Sequence, residues 1–466
     1  MKQLVLLALP GICAALFFFP RPQKALRYYL LLLPFLPEFM VIKLGVSFTG
    51  SRIASIVFLL AMLYRCPGKL VLRIDRLDIV FGIFLATYLG AVVPGPPEGG
   101  AVFAAGFIFD IALPYWFVRA FVRTTEDLQE FVRGLLTPLA VICALAGLQS
   151  VTGFGLFDSF KTGDDVFGVY DSGMMRLGLV RADVGLTHYI MMGLFFASQL
   201  PIAIGHYMGQ GLDFGRILQR AFFIPLGSFF SLSGGSFLVT GIGLTTWAAR
   251  PLRKLWFLLG SLVLLGVVYI ESFSNRGTLA ILATFAATDG DSAWYRIRLP
   301  AAVFAKMEGH WWTGFGRDKP NMGTFNDITN HYLWWLMQGG LPCVLSFIGL
   351  FVVAFSRLYR SSQRCVSYYL HAINWGLLGC LLGLALGIMS VTLFGQMRTY
   401  LFLFIALSAC SFAAAHEEQR EASELEEELA GLADGEGDGD DAKEVLVLDT
   451  ELDVRSFGTP SRLESR

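Results

Sequence analysis

Apolar residues in this chain come in long unbroken runs, not in the alternation of strands or the narrow stripes of surface helices. A helix needs about 20 apolar residues to cross the hydrocarbon core, at about 1.5 Å each. Such runs recur from Leu4 to Ala415. They predict spans near 4–20, 26–43, 46–64, 77–94, 101–119, 132–150, 184–204, 218–232, 234–250, 254–271, 331–357, 370–392 and 397–415. The predicted fold class is therefore all-α, a polytopic membrane protein with about 12–13 transmembrane helices. Segments 218–232 and 234–250 hold roughly 15 residues each and meet at Ser233-Gly234-Gly235. They are short for full crossings and also suit a re-entrant hairpin, which is tolerated where protein or water covers the backbone. In the first run, bulky Phe17-Phe18-Phe19 stands where a signal-peptide cleavage site needs small residues, so the run reads as a span.

Two long polar excursions interrupt the runs, residues 151–183 and 272–330. Basic residues beside spans are retained in the cytoplasm. Arg21/Lys24/Arg27, Arg65/Lys69/Arg73/Arg76, Arg250/Arg253/Lys254 and Arg357/Arg360/Arg364 then face that side, which makes both excursions extracytoplasmic and the C-terminus cytoplasmic. Composition agrees: 16% of residues are charged, against roughly 25% in soluble proteins, which excludes a water-soluble enzyme and a disordered chain. The net charge of −1 conceals an asymmetry. Residues 1–415 hold 31 Lys and Arg against 20 Asp and Glu, whereas residues 416–466 hold 5 against 17. The first segment is the membrane domain. The second is an acidic tail, helical from Glu417 to Leu432 and then low-complexity around Asp434-Gly435-Glu436-Gly437-Asp438, with too little apolar surface to order itself. The seven cysteines are scattered with no CxxC pair, so they read as small core residues and not as a zinc ribbon or disulfide framework.

The chemistry-bearing residues concentrate in the excursions. The first holds Asp158, Lys161, Asp164, Asp165 and Asp171, then Arg176 and Arg181. The second holds Arg276, Arg296, Arg298, Glu308, His310, the turn Gly314-Phe315-Gly316 with Arg317, Asp318 and Lys319, then Asp327, Asn330 and His331. An arginine fork suits phosphate oxygens, because it offers several fixed donors and stays charged. Arginine beside a span more often snorkels to lipid phosphates, but on the outer side topology selects against basic residues. That makes Arg176, Arg181, Arg296 and Arg298 candidates for binding an anionic lipid head group. His331 has the ordinary pKa of a proton acceptor for a hydroxyl nucleophile, although a lone histidine is more often structural. Trp311, Trp312, Trp334 and Trp335 suit either sugar stacking or an interfacial belt. Asp289-Gly290-Asp291 suits a turn better than a cation site. Asp110, ionisable inside a span, reads as a structural contact or a lining residue. No Walker loop, HExxH or GxSxG is present.

The order of these motifs resembles the bacterial O-antigen ligase and polymerase superfamily. The residues that carry the resemblance are Tyr295-Arg296-Ile297-Arg298, Trp312-Thr313-Gly314-Phe315-Gly316-Arg317, Asn330-His331-Tyr332-Leu333 and Gly339-Gly340-Leu341-Pro342. Met175-Arg176-Leu177-Gly178 with Arg181, and Ser231-Leu232-Ser233-Gly234-Gly235, are similar to its earlier elements. The last part is similar to the exopolysaccharide-polymerising branch. The chain departs from that pattern at Gly234, where the family has an arginine, and at Thr329, where many members have His or Asp before the Asn.

The resemblance implies a glycosyltransferase C-like fold in the bacterial inner membrane. It implies transfer of a polyprenyl-diphosphate-linked glycan to a sugar hydroxyl, without nucleotide sugar, cofactor or obligatory metal. Arg176, Arg181, Arg296 and Arg298 would then stabilise the diphosphate leaving group, with Arg276 and Arg317 nearby. Gly314 and Gly316 would let the backbone approach phosphate or sugar. His331 would accept the hydroxyl proton, held by Asn330, with Asp318 and Glu308 as alternative bases. Expected partners are the lipid-linked glycan, a glycan acceptor, membrane lipids and other polysaccharide assembly proteins, but not nucleic acid. The competing classes are a ligase with a lipid-core or protein acceptor, a transporter of the same lipid, and a non-enzymatic scaffold.

Overall fold

The structure is a computed structural model that describes residues 22–44, 46–70, 74–94, 99–158, 175–273, 278, 290–318, 320–325 and 327–435. The 4–20 run, Arg276, Lys161, Asp164, Asp165, Asp171, Asp289, Lys319 and the tail beyond Gly435 lie outside these residues. Two units are distinguished, Met1–His416 and Glu417–Arg466.

The first unit is helical, with only two short antiparallel hairpins among the described residues. Its elements begin with α1 (Pro22–Leu32), β1 (Val41–Leu44), β2 (Val46–Thr49), α2 (Gly50–Arg65), α3 (Arg76–Val92) and α4 (Gly100–Phe107). A π-helical turn, Ile108–Ala112, joins α4 to α5 (Leu113–Phe121), and α6 (Thr125–Leu136) and α7 (Leu139–Thr152) follow. After the second hairpin, β3 (Met175–Arg176) and β4 (Leu179–Val180), come α8 (Tyr189–Gly209), α9 (Phe214–Ala221), α10 (Phe223–Phe230) and α11 (Gly234–Ala248). The remainder is α12 (Trp256–Phe273), α13 (Gly290–Lys306), α14 (His331–Arg364), α15 (Tyr368–Gly387) and α16 (Gln396–Gly435).

Among the described residues, six helical segments are long and apolar enough to cross a membrane: Gly100–Phe121, Thr125–Thr152, Tyr189–Gly209, His331–Arg364, Tyr368–Gly387 and Gln396–Ala430. The chain is thus an all-α polytopic membrane protein. Three expected spans, 26–43, 218–232 and 234–250, are corrected. The 26–43 run forms only the 11-residue α1 before the backbone turns into β1, because Pro34 and Pro37 remove amide donors that would continue the helix. The 218–250 region is two short helices broken at Ser231–Ser233, where Leu232 has φ +47°. At about 1.5 Å per residue, the 8-residue α10 and 15-residue α11 are too short to cross singly.

Local sequence explains the helix starts. Asp75 accepts amide hydrogens from Leu77 and Asp78 while Asp78 returns a bond to Asp75, and Thr124 and Asp127 form the same reciprocal box. The core is aromatic: Phe84, Trp335, Phe347 and Phe402 pack with ring centroids 4.9–6.2 Å apart. At one end of the bundle, Arg119 pairs with Asp75 and Asp78 at 2.8 Å, Arg357 pairs with Asp75 at 2.6 Å, and the Tyr115 hydroxyl donates to Asp78. His331 and Arg357 lie toward opposite ends of α14, which is interrupted at Gly340.

In the second unit, helix residues Glu417, Arg420 and Glu424 form exposed ion pairs at helical spacing.

Candidate functional site

At the His331 end, three arginines, two from the β3–β4 hairpin segment and one from α13, converge on two places where helices end. The β3–β4 hairpin carries Arg176, whose Nη1 donates to the Leu232 carbonyl at 3.2 Å. Arg181 follows β4, and its Nε donates to the Ser231 carbonyl at 3.2 Å. The Arg181 guanidinium lies 3.3 Å from the centroid of the Tyr189 ring, a cation–π contact. From α13, Arg296 Nε donates to the Ser390 carbonyl at 2.9 Å, just past the end of α15. The two places adjoin: a Cβ built on Gly235 would lie 3.9 Å from both Ser233 Oγ and Ser390 Oγ.

The loop bearing Arg181 is fixed on both sides. The Ala182 amide donates to the Phe230 carbonyl, the Ser150 hydroxyl donates to the Val180 carbonyl, and Gln149 binds the Asp183 side chain and the amides of Asp183 and Val184. Arg181 is 4% exposed. Burial pushes its guanidinium down to about 10 and the charge of Arg176 adds to this, while Tyr189 works the other way. Burial also lowers Arg296, again with Arg176 adding and with Asp327 opposing. These cations are desolvated and repel one another, a cost that a bound anion would relieve.

The amide end of α11 opens onto the same place. The first backbone N–H groups of a helix have no acceptor within it, and Ser233 at the N-cap position makes no side-chain cap bond. The nearby hydroxyls are turned inward: Ser231 Oγ donates to the Ser228 carbonyl and Ser236 Oγ to the Ser233 carbonyl, and the two hydroxyls lie 3.0 Å apart. The positive end of the helix dipole therefore adds to the arginine field.

The segment 388–398, which joins α15 to α16, organises the rest of this end. It accepts Arg296 at Ser390 and the His331 backbone amide at the Ile388 carbonyl, 2.9 Å away. The His331 ring is fully buried between Trp334, Trp335 and Phe347, with centroids 5.2–5.8 Å away. Its Nδ1 accepts the Leu393 amide at 3.3 Å, so the neutral ring carries its proton on Nε2, which has no hydrogen-bond partner. The only nitrogen able to accept a proton from a hydroxyl is thus already engaged. Asn330 is the N-cap of α14 and accepts the amides of Tyr332 and Leu333 at 3.0 and 3.1 Å; it does not hold the His331 ring.

Several expected placements change. Arg296 and Arg298 do not face the same place: two residues apart on α13 they point about 200° apart, and Arg298 is exposed over the Trp294 ring at 5.6 Å. Gly314 and Gly316, with φ +66° and +59°, serve the break in α14. Gly340 there has φ +68°, which frees the carbonyls of Met337 and Gln338 to accept the amides of Phe315 and Gly316 at 2.7 and 3.0 Å. A Cβ on Gly314 would lie 2.6 Å from the Gln338 carbonyl. Close backbone packing therefore accounts for these glycines without a phosphate. Arg317 lies beside Gly99 and Gly100 at the start of α4. Trp335 is core, whereas Trp312 is 73% exposed.

A second charged cluster also lies at this end of the bundle. Asp110, in the π-helical turn, is bound by Arg52 Nε at 3.0 Å and Nη2 at 2.7 Å, with Arg398 Nη2 at 4.0 Å. Its carbonyl accepts the Thr399 hydroxyl. Sequence analysis identified Asp110 but missed Arg52, Arg398 and the buried Glu38. The signal that could have found them is an ionisable residue inside an apolar run, the feature that drew attention to Asp110.

No family model matches this chain, and no curated protein matches it.

Proposed function

We propose that this protein is a membrane glycosyltransferase of the O-antigen ligase and polymerase type, glycosyltransferase C-like in fold. In this reading it works on the outer face of the bacterial inner membrane, with its acidic C-terminus in the cytoplasm. It transfers a polyprenyl-diphosphate-linked oligosaccharide onto a sugar hydroxyl in exopolysaccharide or O-antigen synthesis. The observation that carries this reading is the gathering of Arg176, Arg181 and Arg296 around the open amide end of α11. A lipid diphosphate presents its charge at this depth. As the hydroxyl oxygen bonds to the anomeric carbon, the bond from that carbon to the phosphate oxygen breaks and the diphosphate leaves with the electron pair. Preorganised cations stabilise that developing charge. A ligase would use the same donor site and differ only in its acceptor.

The broken helix pair α10–α11 favours one rival, a transporter that moves the lipid-linked glycan without bond chemistry, since half-helices facing a substrate anion are a transporter device. Purified protein in detergent, supplied with a polyprenyl-diphosphate tetrasaccharide and followed on a gel, separates the two. Products longer than one repeat, lost in Arg181→Ala and Arg296→Ala and retained with a chelator, support the transferase. Translocation in proteoliposomes without any new glycosidic bond overturns it.

A further inference from the structure

Glu38 is a buried acid at this end that the reading above leaves without a task. It lies in the non-helical stretch between α1 and β1, outside the six membrane-crossing helices, and is 5% exposed. Among the described residues no hydrogen bond to its carboxyl is formed. Its surroundings are built. A Cβ on Gly395, which has φ +62°, would stand 3.6 Å from Glu38 Oε2 and 3.3 Å from Thr187 Oγ1. Gln396 is anchored by its amide nitrogen, which donates to the Leu36 carbonyl at 2.6 Å, leaving Oε1 over. Both Gln396 Oε1 and Thr187 Oγ1 are buried without a partner, on residues 1% and 9% exposed. Buried polar atoms in this state are rare, because each has lost its hydrogen bonds to water without replacing them.

The backbone here is strained as well. Val184 and Thr187 are β-branched yet hold φ +38° and +70°, a conformation that persists only where the surroundings impose it, and most often at ligand sites. The open groups are a carboxylate, a hydroxyl and an amide oxygen. This set is rich in acceptors, with the Thr187 hydroxyl able to donate as well, and suits a ligand rich in hydroxyl groups. The site is also tied to the arginine cluster: Ser390 and Gly395 are five residues apart, which caps their separation at about 17 Å.

We propose that Glu38, Thr187 and Gln396 bind the acceptor sugar of the reaction read above, and that the Glu38 carboxylate takes the proton of the attacking hydroxyl. The proposal rests on that reading. The hydroxyl O–H bond breaks toward Glu38, the oxygen bonds to the anomeric carbon, and the diphosphate leaves with the electron pair of its broken C–O bond. Facing Glu38 are the charges of Asp110 from the π-helical turn, Arg398 from α16 and Arg52 from α2. Burial, then Asp110, pushes the carboxyl up to about 7 against the two arginines, which poises it for proton transfer at neutral pH.

The test uses the full-length protein in detergent, the polyprenyl-diphosphate tetrasaccharide as donor and a fluorescent saccharide as acceptor. Glu38→Gln is expected to lower kcat at least 100-fold while donor Kd stays within threefold of wild type, and to abolish the activity limb near pH 7. Glu38→Asp retains that limb with reduced kcat, and Thr187→Val raises KM for the acceptor at least fivefold. A Glu38→Gln enzyme with kcat within threefold of wild type and an unchanged pH profile overturns the proposal and leaves the transferase reading standing. If Glu38→Gln does not fold, a Glu38→Asp enzyme with the wild-type rate and profile, together with an unchanged KM in Thr187→Val, overturns it equally. A wild-type protein that forms no glycosidic bond overturns both.

Discussion

Arg296 and His331 are held by one turn: Arg296 Nε donates to the Ser390 carbonyl, the His331 backbone amide donates to the Ile388 carbonyl, and both bonds measure 2.9 Å. The end of α15 therefore sets the position of the α13 arginine and the start of α14 together. The arginine side chain reaches the Ser390 carbonyl beside the start of α11, while the histidine side chain turns into the aromatic core.

The two arginines of the Tyr295–Arg298 motif should separate in function. Arg296→Ala is expected to weaken binding of a fluorescent polyprenyl diphosphate at least tenfold, as loss of a charge-assisted contact does. Arg298→Ala, which removes an exposed side chain over Trp294, should change it less than threefold. Equal losses in the two variants would contradict this placement.

Gly314→Ala should act through stability. The new Cβ meets the Gln338 backbone at 2.6 Å in a left-handed conformation, so a loss of about 2–3 kcal/mol is expected, read as a lower thermal midpoint in detergent. Protein that remains folded at low temperature should bind the donor as wild type does. A loss of donor affinity with an unchanged midpoint would return this glycine to the phosphate site.

His188 should make the fold acid-sensitive. Its Nδ1 caps α8 by accepting the Ile190 amide at 3.1 Å, and burial, with Arg181 adding, lowers its pKa to about 4. The unfolded ring titrates near 6.5, so the unfolded state binds the extra proton between pH 6.5 and 4 and stability falls through that window as pH drops. The full effect is about 3 kcal/mol. Thermal unfolding at pH 7.5 and pH 5 should show this drop in wild type and less of it in His188→Asn, which keeps a capping acceptor without titrating. An equal drop in both would remove His188 as the cause.

Asp110→Asn removes the charge that Arg52 binds at 2.7 Å and that Arg398 faces at 4.0 Å. Because Asp110 is 6% exposed, breaking this pair should cost about 3 kcal/mol. A double variant that also replaces Arg52 with Met should recover part of the loss. Thermal midpoints of the two variants decide the matter, and a double variant no more stable than the single one would show that the pair is not a unit.

The legibility of the candidate site follows from which property each residue expresses. Arg176, Arg181 and Arg296 stood out because topology disfavours basic residues on the expected outer side, a rule that acts on the chain before it folds. The same rule selected Arg298, which lies exposed over Trp294 on another face of α13, because a charge count does not record helical phase. Gly314 and Gly316 announced a special backbone, but their partner, the break at Gly340, is more than 20 residues away and of its own making. Glu38 carried only the general signal of an acid inside an apolar run, which does not record what packs against it.

The sequence by itself determined that this is a helical membrane protein. Transfer of an apolar run into lipid depends only on its length and composition, which are properties of consecutive residues. The tertiary structure alone decided which polar groups meet. Arg176 reaches a carbonyl 56 residues away, Arg181 one 50 away and Arg296 one 94 away. Such contacts are fixed by how helices break and pack, and no period or charge count along the chain encodes them.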